Sequence, residues 1–137
     1  MDCDLNTLAE CYFRYRAAKS DDDFWAWQRV HEAVCSGDLD SAWEVALLLL
    51  RKAPDDDALG FVAAGPLEDF IDGYGDQALD LVEKACDGDT RLQFALSGVW
   101  LLPESPVLTR FRALMKKYGF GLTEDKRQPL SPHPDCW

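Results

Sequence analysis

Residue types able to do chemistry stand at four places in this chain. Two aspartate triplets, Asp21-Asp22-Asp23 and Asp55-Asp56-Asp57, have the density of a cation site. A calcium loop needs oxygen ligands at its fifth and twelfth positions. Counted from Asp55 those positions are Leu59 and Pro66, so the template fails. Acids so placed suit helix N-caps and first turns, where unpaired N–H groups and the helix dipole favour negative charge. Glu68 and Asp72 stand four residues apart and project from one helix face. Paired carboxylates do acid–base work when held in a cleft, but no histidine or second matched pair accompanies these. They are expected to form a solvated face or to meet an arginine of the basic C-terminal helix.

His31 falls on an apolar helical stripe and reads as a core histidine, and His133 lies among prolines. Cys3, Cys11, Cys35, Cys86 and Cys136 are scattered, odd in number and contain no C-x-x-C pair. That spacing supports neither a disulfide framework nor a zinc site. Cys11 and Cys35, in apolar contexts, read as core thiols in a reducing compartment. A Cys–His pair assembled by the fold stays open, but no local signature marks one. The chain has no G-x-S-x-G, no phosphate-cradling glycine loop and no H-E-x-x-H. It is therefore read as a non-enzyme with no catalytic residue, no metal and no cofactor.

The elements that carry these residues are helical, and the fold class expected is all-α, one domain of seven or eight helices in antiparallel pairs. Helices are predicted over about 4–18, 22–36 and 39–53. The third, with Leu39, Ala42, Trp43, Val45, Ala46, Leu47, Leu48, Leu49 and Leu50, keeps so little polar surface that it should be central. A fourth starts at Pro54-Asp55-Asp56-Asp57 and ends at Gly65-Pro66. Proline suits a first helical position, and the residue before it is pushed out of the α region. Gly65-Pro66 is thus read as a corner, from which a fifth helix carries Leu67, Phe70, Ile71 and Tyr74. A sixth opens at Gly75-Asp76. The seventh follows Asp87-Gly88-Asp89 with Leu92, Ala95, Leu96, Val99 and Trp100 as its stripe, and a last helix runs from Val107 to Tyr118. A short extended piece is expected at 120–122. The domain is drawn as 1–127, with 128–137 a proline-rich tail. Similar Lys-Ala-x-Asp-x-Asp runs at 52–57 and 84–89 are compatible with helix pairs stacked like short α-solenoid repeats.

The formal net charge is −11 in 137 residues. Residues 1–104 carry net −14 and residues 105–127 net +4. A basic closing helix on an acidic body should pack beside acidic neighbours. The balance argues against nucleic acid, because phosphate affinity comes from Lys and Arg, and against an anionic membrane, and it favours a basic protein partner. The longest apolar run, Val45 to Leu50, is far too short to span a membrane. With no signal peptide recognised, a cytoplasmic location is expected. Oligomeric state is not specified. Trp27, Trp43 and Trp100 read as core, whereas Trp25 and Trp137 fall off the helical stripes. Trp25 beside three aspartates makes an aromatic-plus-acidic patch of the kind that anchors interfaces.

Asp40-Ser41-Ala42-Trp43-Glu44, Ala53-Pro54-Asp55, the run from Ala63 to Asp69 and Val99-Trp100 together resemble a family of small uncharacterised bacterial proteins with a Gly-Pro-Leu-Glu core. The resemblance covers about residues 24–101. It implies a bacterial, helical, single-domain protein and carries over no functional residue. The function expected is an acidic protein-binding module, an immunity-type inhibitor that neutralises a basic toxin or effector. Its contact residues would be Asp21, Asp22, Asp23, Trp25, Asp55, Asp56, Asp57, Glu68 and Asp72. The alternatives are a helical scaffold or adaptor and, third, an enzyme with an unrecognised cleft.

Overall fold

The computed structural model describes residues 4–119, and no strand occurs among them. Helix α1 (Leu5–Ala18) is capped by Asp4, and a short 3-10 turn (Asp21–Asp23) leads into α2 (Phe24–Val34). Then follow α3 (Leu39–Lys52), α4 (Asp56–Val62), α5 (Glu68–Tyr74), α6 (Asp76–Cys86), α7 (Thr90–Ala95) and α8 (Leu108–Lys117). The Asp55 carboxylate caps α4, accepting the Ala58 N–H at 2.8 Å, and Asp89 caps α7, accepting from Arg91 and Leu92, whereas Asp23 at the start of α2 makes no side-chain cap bond. The extended piece expected at 120–122 and the tail 128–137 lie outside the described residues.

The corner expected at Gly65-Pro66 is absent. A wide π turn, Ala63–Leu67, joins α4 and α5 into one continuous rod. Val62, Leu67 and Glu68 all keep right-handed helical dihedrals, with φ of −65°, −67° and −61°. The Glu68 N–H reaches back five residues to the carbonyl of Ala63. A ladder widened by one residue steps over one donor, and the residue stepped over is Pro66, which has no N–H to give. Proline at a helix start and proline in a π turn satisfy the same local rule, so the dipeptide alone does not distinguish them.

Every residue from Ala58 to Leu67 is buried, as are Phe70 and Ile71. Helix α3 lies against this rod and also touches α1, α2 and α6, the central place its apolar run predicts. Successive helices pack as pairs, and contacts that skip a neighbour, α3 with α6 and α2 with the π turn, draw the pairs round one core. Trp43 of α3 stacks on Phe70 of the rod, with ring centroids 5.2 Å apart and planes 22° from parallel.

The basic last helix meets acidic neighbours, as the charge split predicts. Arg110 pairs with Asp76 at 3.0 Å and Asp80 at 2.6 Å, and Lys117 with Glu83 at 3.1 Å. Trp100 departs from expectation. Helix α7 tightens into a 3-10 turn at Leu96–Gly98, Val99 leaves in extended conformation, and Trp100 stands 62% exposed instead of joining the core.

Phe70 has no exposure and holds the rod to α3. Phe70→Ala is expected to lower the unfolding free energy by about 3–5 kcal/mol, the range for a large aromatic removed from a packed core, measured by urea denaturation.

Candidate functional site

Helix α2 is amphipathic, but its buried stripe is Ala26, Val30 and Val34. The larger side chains Phe24, Trp27, His31 and Cys35 run along the neighbouring edge, three or four residues apart. Trp27 is half-buried and packs against the core, while Phe24, His31 and Cys35 stay exposed beside it. Phe24 stacks on Trp27 at 5.5 Å and 19°, and Trp27 on His31 at 5.2 Å and 7°. His31 and Cys35 are both exposed, which corrects the reading of each as a core residue. An apolar stripe wider than the contact it serves leaves its edge in solvent, and here Ala26 is fully buried and Trp27 packs against the core while Phe24 and His31 lie at the exposed edge.

The C-terminal end of α2 is fastened to α5 by Tyr74. Its hydroxyl donates to the Val34 carbonyl at 3.2 Å and accepts the Gly37 N–H at 2.9 Å. This clamp sets the end of α2 beside the first turn of α5. There a side-chain nitrogen of His31, the Sγ of Cys35 and a carboxylate oxygen of Asp69 lie within 4.8 Å of one another. Sequence reasoning missed this trio. The signal that pointed to it is the four-residue spacing of His31 and Cys35, which places both on one helix face. Asp69 had no sequence-local mark.

Asp69 and Glu68 are half-buried acids. Burial pushes the Asp69 carboxyl up, with Asp72 adding to the rise and His31 drawing it back. Burial likewise raises Glu68, opposed by the Trp100 N–H, which donates to it at 2.8 Å. The Cys35 thiol is raised by partial burial and then by the negative charge of Asp69. Asp72 accepts from the Ser105 hydroxyl at 3.4 Å. The arginine anticipated for Glu68 and Asp72 is instead engaged with α6.

The other predicted contact residues sit on separate elements. Asp21 and Asp22 are exposed in the turn before α2, and Trp25 is 39% exposed. Asp23 is different: it is 4% exposed and held bidentately by Arg14, at 2.8 and 2.7 Å. It is an internal brace between α1 and the turn, and its place among the contact residues is corrected accordingly. Arg14 holds the Asp23 carboxyl below the usual carboxylate range. Asp55, Asp56 and Asp57 are exposed at the start of α4, with Asp55 committed to its cap. A groove of about 330 Å³ is lined by Asn6, Ala9, Glu10, Phe13 and Lys52.

Residues 14–118 match a family of unknown function, DUF6869. The chain belongs to that family. The match is wider than the 24–101 span of the resemblance and takes in α2, the rod and α8. No curated protein and no solved structure matches the chain. No described helix is long and apolar enough to cross a membrane.

A pH dependence follows from the raised acids. A carboxyl raised in the folded state binds its proton there before the unfolded chain does, so stability rises as pH falls from the raised value towards the ordinary one near 4. Asp23, lowered by Arg14, acts in the opposite sense, and its contribution is lost only as pH falls below that ordinary value. Unfolding free energy is therefore expected to rise as the pH falls from the raised values of these carboxyls towards the ordinary one near 4. Glu68→Gln with Asp69→Asn should flatten that rise in urea titrations at each pH. An equally steep rise in the double variant would contradict the assignment.

Proposed function

We propose that this chain is an acidic protein-binding module that captures a basic partner through the surface around Asp21, Asp22, Phe24 and Trp25, in the manner of an immunity-type inhibitor of a toxin or effector. The observation that carries the reading is the exposure of two large aromatics, Phe24 at 42% and Trp25 at 39%, beside two exposed aspartates. Two adjacent exposed aromatics begin an apolar patch rimmed by acids, and tryptophan is enriched at interface hot spots. Phe24 is held on both sides, by Tyr15 at 5.6 Å and Trp27 at 5.5 Å, so little rotamer entropy remains to be lost when a partner docks. The net charge of −11 supplies long-range attraction to a basic surface.

A scaffold role has its own support. Trp100 and Leu102, each 62% exposed, form an apolar loop suited to a contact that salt does not weaken. The two readings separate by salt and by mutation. A basic partner taken from the source lysate by the tagged protein should elute as salt rises and be lost by Asp21→Lys with Asp22→Lys. Trp25→Ala should weaken it by about thirtyfold, as a hot spot of 2 kcal/mol does. A partner that resists salt, survives those changes and is lost by Trp100→Ala would replace the inhibitor reading with the scaffold.

A further inference from the structure

The geometry points to a transition-metal site for an ion of the zinc class, with His31, Cys35 and Asp69 as its three protein ligands. The donor atoms come from two helices and already stand within 4.8 Å of one another. A tetrahedral zinc with bonds near 2.0–2.3 Å requires ligand atoms roughly 3.4–3.8 Å apart. Small side-chain rotations at an exposed site close that difference.

The donor chemistry selects the ion. One imidazole, one thiolate and one carboxylate form a mixed N, S and O set, which suits zinc, whereas calcium and magnesium take oxygen alone. Three protein ligands leave a fourth position to water, the pattern of an open site. The surroundings favour the arrangement. Trp27, stacked nearly parallel on His31, restrains the imidazole ring. The Tyr74 clamp fixes the spacing between the two ligand-bearing helices. Asp72 adds negative charge beside Asp69 and helps to raise its carboxyl. Binding replaces the S–H proton of Cys35 with a sulfur–metal bond and releases that proton to solvent, so affinity increases with pH. The site lies at the C-terminal end of α2, while the proposed partner surface lies at its N-terminal end, and the two use different residues.

Cobalt(II) is the probe, because a bound thiolate gives it a charge-transfer band that water and carboxylate do not. The chelator-treated full-length protein is titrated with cobalt chloride and then with zinc. The expected result is one equivalent of cobalt with a thiolate charge-transfer band and tetrahedral d–d bands, both abolished by zinc. Cys35→Ser should remove the charge-transfer band. His31→Ala and Asp69→Asn should each weaken binding beyond the ~10–100-fold typical of outer-shell changes. His31 and Cys35 are exposed, so their variants should keep the parent circular dichroism. Absence of the band, or a band of full intensity in Cys35→Ser, would overturn the site. So would cobalt affinity unchanged in both His31→Ala and Asp69→Asn.

Discussion

A buried helix that must pass a residue with no N–H is the constraint on which this fold depends. Pro66 lies in the most enclosed stretch of the chain, where water is not at hand to satisfy a carbonyl left without its donor. A regular α-helix would leave that carbonyl unpaired and push the proline ring against the preceding turn. The π turn removes both costs by passing the bond to the next donor along, as the Glu68 N–H to Ala63 carbonyl bond records. Helix α5 then continues as though one residue had not been counted. Phe70 and Ile71 consequently enter the core that Trp43 and α3 provide, while Glu68 and Asp69 are held half-buried beside Trp100 and the end of α2. Packing and site come from one phase.

Charge is organised on a second scale. The acids of α6 engage the last helix through Arg110 and Lys117, and Arg14 engages Asp23. The solvent-facing pairs among them contribute little stability each, but they locate α8 on α6. Asp21, Asp22, Asp56 and Asp57 stay exposed on the body. On α8, Arg110 and Lys117 reach the acids of α6 while Arg112 and Lys116 stay exposed.

Most of the helices were legible in the sequence because their ends carry their own chemistry. Asp4, Asp55 and Asp89 accept N–H groups at helix starts, and Gly75 takes φ +61° where α5 hands over to α6. The central role of α3 was legible for the same local reason, a face too apolar to leave in water. What was not legible depended on phase or on distant partners. In α2 the stripe is wide enough that either Phe24, Trp27 and His31 or Ala26, Val30 and Val34 could lead, and only the packed neighbour chooses. Asp23 is one of three adjacent aspartates, and its ion pair with Arg14 crosses a turn. Asp69 reaches His31 and Cys35 only because the rod carries one extra residue, a fact that no window around Asp69 contains.

The most direct measurement is the stability of a chain lacking Pro66, set beside one lacking Ala46 from the regular buried part of α3. Removing one residue from an α-helix turns everything beyond it by about 100°. If the π turn absorbs one surplus residue, deletion of Pro66 restores an ordinary ladder and leaves Phe70, Ile71 and Asp69 facing as before. Its urea unfolding should then stay cooperative and lie within about 2 kcal/mol of the parent, the range of an ordinary substitution, while the Ala46 deletion fails to fold. Loss of cooperative unfolding in both deletions alike would contradict the account.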